Sequence, residues 1–225
     1  MEQDKIWDYF QNDGADSFDG SYNRLNFLIN NCRENNVKVL NIGIGNATLE
    51  NIALNKNIDI YTLDPSEKAI LNIQERLGEG RAKVGYSQKI PFEDNFFDVV
   101  IMSEVLEHLE DNTLLATIED VYRVLKKDGK FIGTVPYAEN LVEQLVICPK
   151  CGEQFHRWGH VQSFNEKSLN SLLKRKFTQI YLKPKLFTNW KGLNNKGKTV
   201  AVINNIAYMF GIKKSGLNLF FEARK

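Results

Sequence analysis

Long apolar runs are missing from this 225-residue chain. None approaches the ~20 residues that cross a bilayer as a helix, so no membrane-spanning helix is expected. Cysteine is scarce: there are three, two of them in one Cys-x-x-Cys pair, which is not a disulfide framework. No internal repeat and no low-complexity tract occurs, so neither a repeat array nor a compositionally biased tail organises the chain. The N-terminal stretch MEQDKIWDYFQND is acidic and aromatic and lacks the basic-then-apolar pattern of a secretory signal. Together these absences point to a cytoplasmic protein. Net charge is also small, +1, but it hides an asymmetry: residues 165–225 hold thirteen Lys/Arg against two acids, Glu166 and Glu222. The first 164 residues are therefore net acidic. Either the lysines are a solvated surface, or the C-terminal part faces an anionic acceptor.

What is present fits one soluble domain with room for an insertion: 43% hydrophobic and 25% charged residues over a length that buries a sizeable core. Residues 37–50, VKVLNIGIGNATLE, organise the rest. Val37, Val39, Leu40 and Ile42 read as a buried strand. Gly43-Ile44-Gly45 follows, and then a helix-compatible stretch. Glycines between a strand and a helix allow a sharp turn and a close ligand approach beside free helix N–H groups. Taken alone, the motif leaves open a nucleotide site or a bare turn.

A second strand over residues 59–63 ends on Asp64-Pro65. Asp64 lies 21 residues after Gly43, where an acid can accept hydrogen bonds from a ribose diol. Ser66 caps a helix over 67–77. A short strand at 81–85 leads to the Ser87-Gln88 loop. The apolar run 98–103 reads as a strand buried on both faces. A helix over 112–125, a turn at 126–129 and a strand at 130–135 complete a β-α-β alternation with short loops, which gives a doubly wound, mostly parallel sheet. Its ligand crevice belongs at the carboxyl ends of the strands, where Gly43, Gly45, Asp64, Ser87, Gln88 and Ser103 all fall.

The blocks VLNIGIGNA, LDPS, KIPFEDNFFDVVIMSEVLEHLED and RVLKKDGKFIGTVP together resemble the class I S-adenosylmethionine-dependent methyltransferases, in their small-molecule, type 11-like branch. The resemblance covers residues 37–136 well and the end of the chain loosely. It implies a Rossmann-like seven-stranded α/β sheet whose seventh strand runs antiparallel between the fifth and sixth. It implies S-adenosylmethionine as cofactor, with Asn41, Gly43, Gly45, Asp64, Pro65, Ser87, Gln88 and Ser103 around it: the glycines against the methionine and ribose, Asp64 on the ribose hydroxyls, Ser87 and Gln88 beside the adenine, Ser103 near the sulfonium. His108 lies on the next turn, as a general base or as a histidine holding the loop. This chain departs from the family at Asn41, where an acid is usual, at Ala47, where a third glycine is usual, and at Tyr86, where an acid often meets the adenine. Each departure loses an interaction of about 1 kcal/mol.

Residues 137–164 form a cysteine–histidine insertion. Cys148, Cys151, His156 and His160 have the donor types and spacing of a closed tetrahedral zinc knuckle, with a redox pair and an unliganded loop as the other readings. The pattern also resembles a stretch of methyltransferases from surface-glycan clusters, which implies a saccharide acceptor and a role in glycan biosynthesis. The expected organisation is one domain: an N-terminal helical cap at 1–36 with a lid at 7–18, the cofactor core at 37–136, the insertion at 137–164, and C-terminal strands at 165–225. Within the last part, residues 184–216 carry a helix at 200–210 that either covers the acceptor site or contacts a second copy of the chain. The activity expected is O-methylation of a small molecule or saccharide. The alternatives are an RNA methyltransferase and a catalytically silent cofactor-binding protein. The absence of an aromatic-plus-basic stacking module argues against nucleic acid.

Overall fold

The computed structural model describes residues 20–32, 36–189, 193–209 and 216–225. The expected lid at residues 7–18 lies outside the described residues. The elements are α1 (Tyr22–Asn30), β1 (Lys38–Ile42), α2 (Thr48–Asn55), β2 (Asp59–Asp64), α3 (Glu67–Leu77), β3 (Ala82–Val84), β4 (Phe97–Ser103), α4 (Asp111–Val124) and β5 (Leu125–Pro136). There follow β6 (Leu145–Ile147), β7 (Gln154–His156), α5 (Glu166–Leu173), β8 (Gln179–Lys185), α6 (Asn195–Met209) and β9 (Asn218–Arg224).

Seven strands make one sheet in the order β3-β2-β1-β4-β5-β9-β8. β1 to β5 are mutually parallel, and β9 runs antiparallel to both β5 and β8, the arrangement the resemblance implies. The alternation of strand side chains explains the continuous apolar runs. On β4, Val100 and Met102 face one core with Leu40, Phe131 and Phe221, beneath α4 and α5. Val99 and Ile101 face the other, with Val39, Ile132 and Phe220, beneath α1, α2 and α3. Gly133 sits where no side chain fits: a Cβ there would lie 1.9 Å from the Met102 carbonyl oxygen and 2.6 Å from Phe221. Its absence lets the Phe221 ring of β9 close over β5.

The IPF and FF residues have a structural role. Phe92, Phe96 and Phe97 pack edge-to-face against Tyr61 at centroid distances of 5.3–5.8 Å. Arg123 fixes the loop by donating to the Ile90 and Phe92 carbonyls and to Asp94 and Asp120.

Two local features bear on the site. After Ser103 the chain makes a left-handed residue, Glu104 (φ 57°), and then a single 3-10 turn, Leu106–His108. The turn cannot extend because Leu109 and Glu110 are both extended, and Glu110 opens α4. At residues 126–129, expected as a simple turn, β5 has already begun: Leu125 pairs with Phe97, and the register shifts before Val99. Left-handed Asp128 (φ 65°) absorbs the shift.

Candidate functional site

The carboxyl ends of β1, β2 and β4 open into one cavity of about 330 Å³. Asn41, Gly43, Gly45, Asp64, Pro65, Ser87, Gln88, Ser103 and His108 all line it. Arg24 and Ser21 of the N-terminal segment, with Glu104, close one side.

Gly43 turns the chain at φ 91°, and its N–H still donates to the Leu63 carbonyl at 3.0 Å, so the β1–β2 ladder runs to the cavity wall. Ala47, where the family has glycine, holds φ 59° at the N-cap of α2. An alanine there costs about 1 kcal/mol that a glycine would not. Asp64 is buried, and both its oxygens accept backbone hydrogen bonds at 2.8 Å: Oδ2 from Ile44 N–H, Oδ1 from Ser66 N–H. One carboxylate thus clamps the glycine turn to the start of α3. Ser87 Oγ pairs with Thr117 Oγ1 at 2.8 Å. Ser103 Oγ accepts from Arg24 Nε at 3.1 Å and pairs with Thr134 Oγ1 at 3.0 Å.

Asn41 is backed by an acid the motif does not contain. Its Nδ2 donates to Glu50 Oε1 at 2.7 Å, and Thr62 Oγ1 donates to the same oxygen at 2.8 Å. Glu50 is fully buried in α2. Burial, with Asp64 adding to it, raises its carboxyl from 4.5 to about 7 against the pull of these hydrogen bonds. Because the folded value lies above the unfolded one, the folded state binds more protons between pH 4.5 and about 7. Stability is fully present at the acid end of that window and falls as pH rises through it, by about 3 kcal/mol for a shift of this size. Glu50→Gln, which keeps the acceptor for Asn41 and Thr62, is therefore expected to flatten the loss of Tm between pH 5 and 8. Identical pH slopes in variant and parent would exclude Glu50 as the titrating group.

The sequence offered no spacing signal for Arg24. Glu50 had one: it lies one helical turn before buried Ala53, on the apolar face of TLENIALN.

The cysteine–histidine set divides. β6 and β7 form a hairpin in which Leu145 pairs with His156 and Ile147 with Gln154. Cys148 and Cys151 occupy its tip, closed by Cys148 N–H to Glu153 O at 2.8 Å and Gly152 N–H to Cys148 O at 2.9 Å. There the backbone N–H groups of Cys151 and Lys150 and the Cys151 thiol lower the pKa of the half-buried Cys148 thiol. His156 sits at the foot of the hairpin, stacked on His160 with centroids 4.6 Å apart. Three residues of strand, at ~3.3 Å each, separate tip from foot. Zinc–ligand bonds are only about 2.0–2.3 Å long. No group of close potential ligands among the described residues combines a cysteine with a histidine. The four-ligand knuckle expected from spacing is therefore not assembled, because the hairpin extends the spacing instead of folding it back.

The histidines meet acids instead. His160 Nδ1 contacts Glu139 Oε2. Glu139 Oε1 lies 3.6 Å from His156 Nε2. His108 Nδ1 donates to the Gly159 carbonyl at 3.2 Å, and its ring meets His160 edge-on at 4.6 Å. Burial, and then the neighbouring His160, hold the His108 imidazole down to about 3. Burial and Glu104 push the Glu107 carboxyl well above the usual carboxylate range.

Residues 40–133 match the family described as "Methyltransferase domain". The Bacillus subtilis protein YrhH is 30% identical over 105 residues, 44% of this chain and 57% of YrhH. The chain spans about half the length of the curated relatives it matches. Among solved structures, a SAM-dependent methyltransferase of Methanosarcina mazei superposes with a TM-score of 0.63 at 19% identity, over 88% of this chain and 96% of that one. The 1,6-didemethyltoxoflavin-N1-methyltransferase of Burkholderia thailandensis, solved with 1,6-didemethyltoxoflavin and S-adenosylhomocysteine bound, gives 0.66 at 16% identity, over 96% of this chain and 84% of that one. At these identities the structures establish a shared fold. The sequence match spans the segment that carries the glycine turn, Asp64 and Ser103.

Proposed function

We propose that this chain, whose residues 40–133 match a methyltransferase domain, is a class I S-adenosylmethionine-dependent methyltransferase that transfers a methyl group from that cofactor to an oxygen of a small polar acceptor. One observation carries the reading: the residues matching the family's cofactor motif line a single cavity at the carboxyl ends of the strands. The site fits the cofactor on its own chemistry. A Cβ at Gly43 would lie 2.7 Å from Val105 Cγ2, so only bare backbone leaves that wall open. Asp64 would hold the ribose hydroxyls, Ser87 and Gln88 would flank the adenine, and Asn41 with Glu50 behind it would face the cationic amino end.

The bound cofactor supplies an already activated methyl group on a sulfonium. The protein's task is then alignment of the acceptor for in-line displacement. Ser103, Arg24 and Glu104 stand at that mouth, and Arg24 places a fixed positive charge there that suits an anionic or hydroxyl-rich acceptor. The Burkholderia enzyme holds a small heterocycle in the same fold, which supports a small-molecule acceptor. The cysteine–histidine pattern supports a saccharide.

Calorimetry with S-adenosylmethionine and S-adenosylhomocysteine is expected to show one site per chain. No heat at millimolar cofactor would overturn the reading. S-adenosylhomocysteine release is then measured with hydroxyl-bearing saccharides, with amines and with RNA. Turnover on the first set is expected. Turnover on RNA alone, with steep salt dependence, would replace the acceptor class.

A further inference from the structure

Beside the cofactor cavity, Glu107, His108 and His160 each bring one potential ligand atom within 4.8 Å of the others. Backbone contacts build this arrangement. The Glu107 carbonyl accepts from Val161 N–H at 2.8 Å and Gln162 N–H at 2.9 Å, and the Gly159 carbonyl accepts from His108 Nδ1. These bonds dock the loop after β7 onto the 3-10 turn after β4, and so set His160 against His108 across 52 residues of sequence.

We infer that Glu107, His108 and His160 form a two-histidine, one-carboxylate site for a divalent transition-metal ion, bordering the cavity through His108.

Three features of the geometry select these ligands. First, both carboxylate oxygens of Glu107 are buried without a hydrogen-bond partner, and the His108 Nε2 lies 3.9 Å from Oε1. Buried this way, the acid carries a charge only when a cation compensates it. Second, the tautomers are set for ligation. The His108 Nδ1–H is spent on a carbonyl, and the His160 Nδ1 is held by Glu139, so in each ring Nε2 carries the lone pair. Metal-binding histidines are oriented in this way by a carbonyl or carboxylate on the other nitrogen. Third, the neighbouring triad fails the same test. Glu139, His156 and His160 are equally close, but His156 Nδ1 accepts from Trp158 N–H at 3.3 Å and His160 N–H at 3.1 Å. That leaves the proton on His156 Nε2, which then has no lone pair to offer a metal; it lies 3.6 Å from Glu139 Oε1, buried and without a hydrogen-bond partner. Glu104 adds charge to the site, and its Oε1 is likewise buried without a hydrogen-bond partner.

A two-histidine, one-carboxylate set leaves coordination positions open and suits Mn²⁺, Fe²⁺, Co²⁺ or Zn²⁺. Of the three ligands His108 lines the cavity, as does neighbouring Glu104, so the ion would sit at the cavity's border. Resting on the methyl-transfer reading, this makes the ion the group that seats an acceptor hydroxyl and lowers its pKa, and it points to acceptors with two adjacent oxygens.

The full chain, stripped with chelator and titrated with Co²⁺ and Mn²⁺ in the absence of any cofactor, is expected to bind one ion with a histidine–carboxylate Co²⁺ spectrum lacking thiolate charge transfer. Cys148→Ser/Cys151→Ser is expected to leave that binding unchanged. Isosteric Glu107→Gln is expected to weaken it at least ~100-fold, and Glu139→Gln, which removes only the group orienting His160, about 10- to 100-fold. Circular dichroism checks that each variant is folded. A thiolate band, binding lost with the cysteines, or binding unchanged in folded Glu107→Gln and His160→Gln would each overturn the site. Because cofactor is absent throughout, failure of the metal site and failure of the methyl-transfer reading are separate results.

Discussion

Asp64→Ala is expected to lower S-adenosylmethionine affinity at least ~100-fold and to lower Tm in the same protein. The carboxylate accepts from Ile44 N–H and Ser66 N–H at 2.8 Å each, in a buried position. Alanine leaves both donors without that acceptor, and each orphaned buried group costs about 1–3 kcal/mol. Part of this appears as lost stability. The rest appears as lost affinity, because the glycine turn and the start of α3 are no longer held at the separation the cavity requires. Any bonds to ribose hydroxyls are lost in addition. Asp64→Asn separates the two contributions. An amide keeps one acceptor oxygen but turns an NH₂ toward the other backbone N–H, so the clamp is half broken and the negative charge is gone. It is expected to fold, with a smaller Tm loss than alanine and affinity still down more than ~10-fold. Calorimetry paired with thermal melts reads both. Asp64→Asn binding within about threefold of the parent would show that the carboxylate does not meet the cofactor.

The same residue shows what one dimension of sequence can carry. Strands β1, β2 and β4 are legible because apolar β-branched runs end on glycine, proline or serine, and those ends are where a parallel sheet opens. The spacing of Gly43 and Asp64 therefore places both at one crevice. The antiparallel insertion of β9 came from family resemblance alone, since nothing in Leu217-Asn218-Leu219-Phe220-Phe221 states its direction. The cysteine–histidine segment differs from its spacing for a related reason. Spacing suited a closed knuckle, but the register Leu145–His156 and Ile147–Gln154 spends that spacing on a hairpin. The contacts that gather His108, His160 and Glu107 are hydrogen bonds to backbone carbonyls between segments about 50 residues apart, which leave no periodic trace. Glu50 was visible as an acid among buried neighbours on α2, yet its meaning depends on Asn41 and Thr62 across two strands.

Gly43→Ala is expected to be the most damaging single methyl added at the cavity, and its two costs can be measured apart. The backbone at φ 91° lies where side chains are disfavoured. The added Cβ would also stand 2.7 Å from Val105 Cγ2, closer than carbon atoms approach without movement. Conformational strain contributes about 1–2 kcal/mol and the overlap about 1–3 kcal/mol. Val105 opens the 3-10 turn that bears Glu107 and His108, so displacing it disturbs that side of the cavity as well. In Gly43→Ala/Val105→Ala the overlap partner is gone but the left-handed backbone and the intruding methyl remain. Relative to Val105→Ala alone, the second substitution should then cost only the strain, about half of what Gly43→Ala costs in the parent. Cofactor affinity should stay at least ~10-fold down in both glycine variants, because the new methyl still occupies the wall that bare backbone left open. Equal losses of stability in the two backgrounds would show that Val105 yields freely and that strain accounts for the whole effect. Full recovery of affinity in the double variant would show that the cofactor does not lie against Gly43.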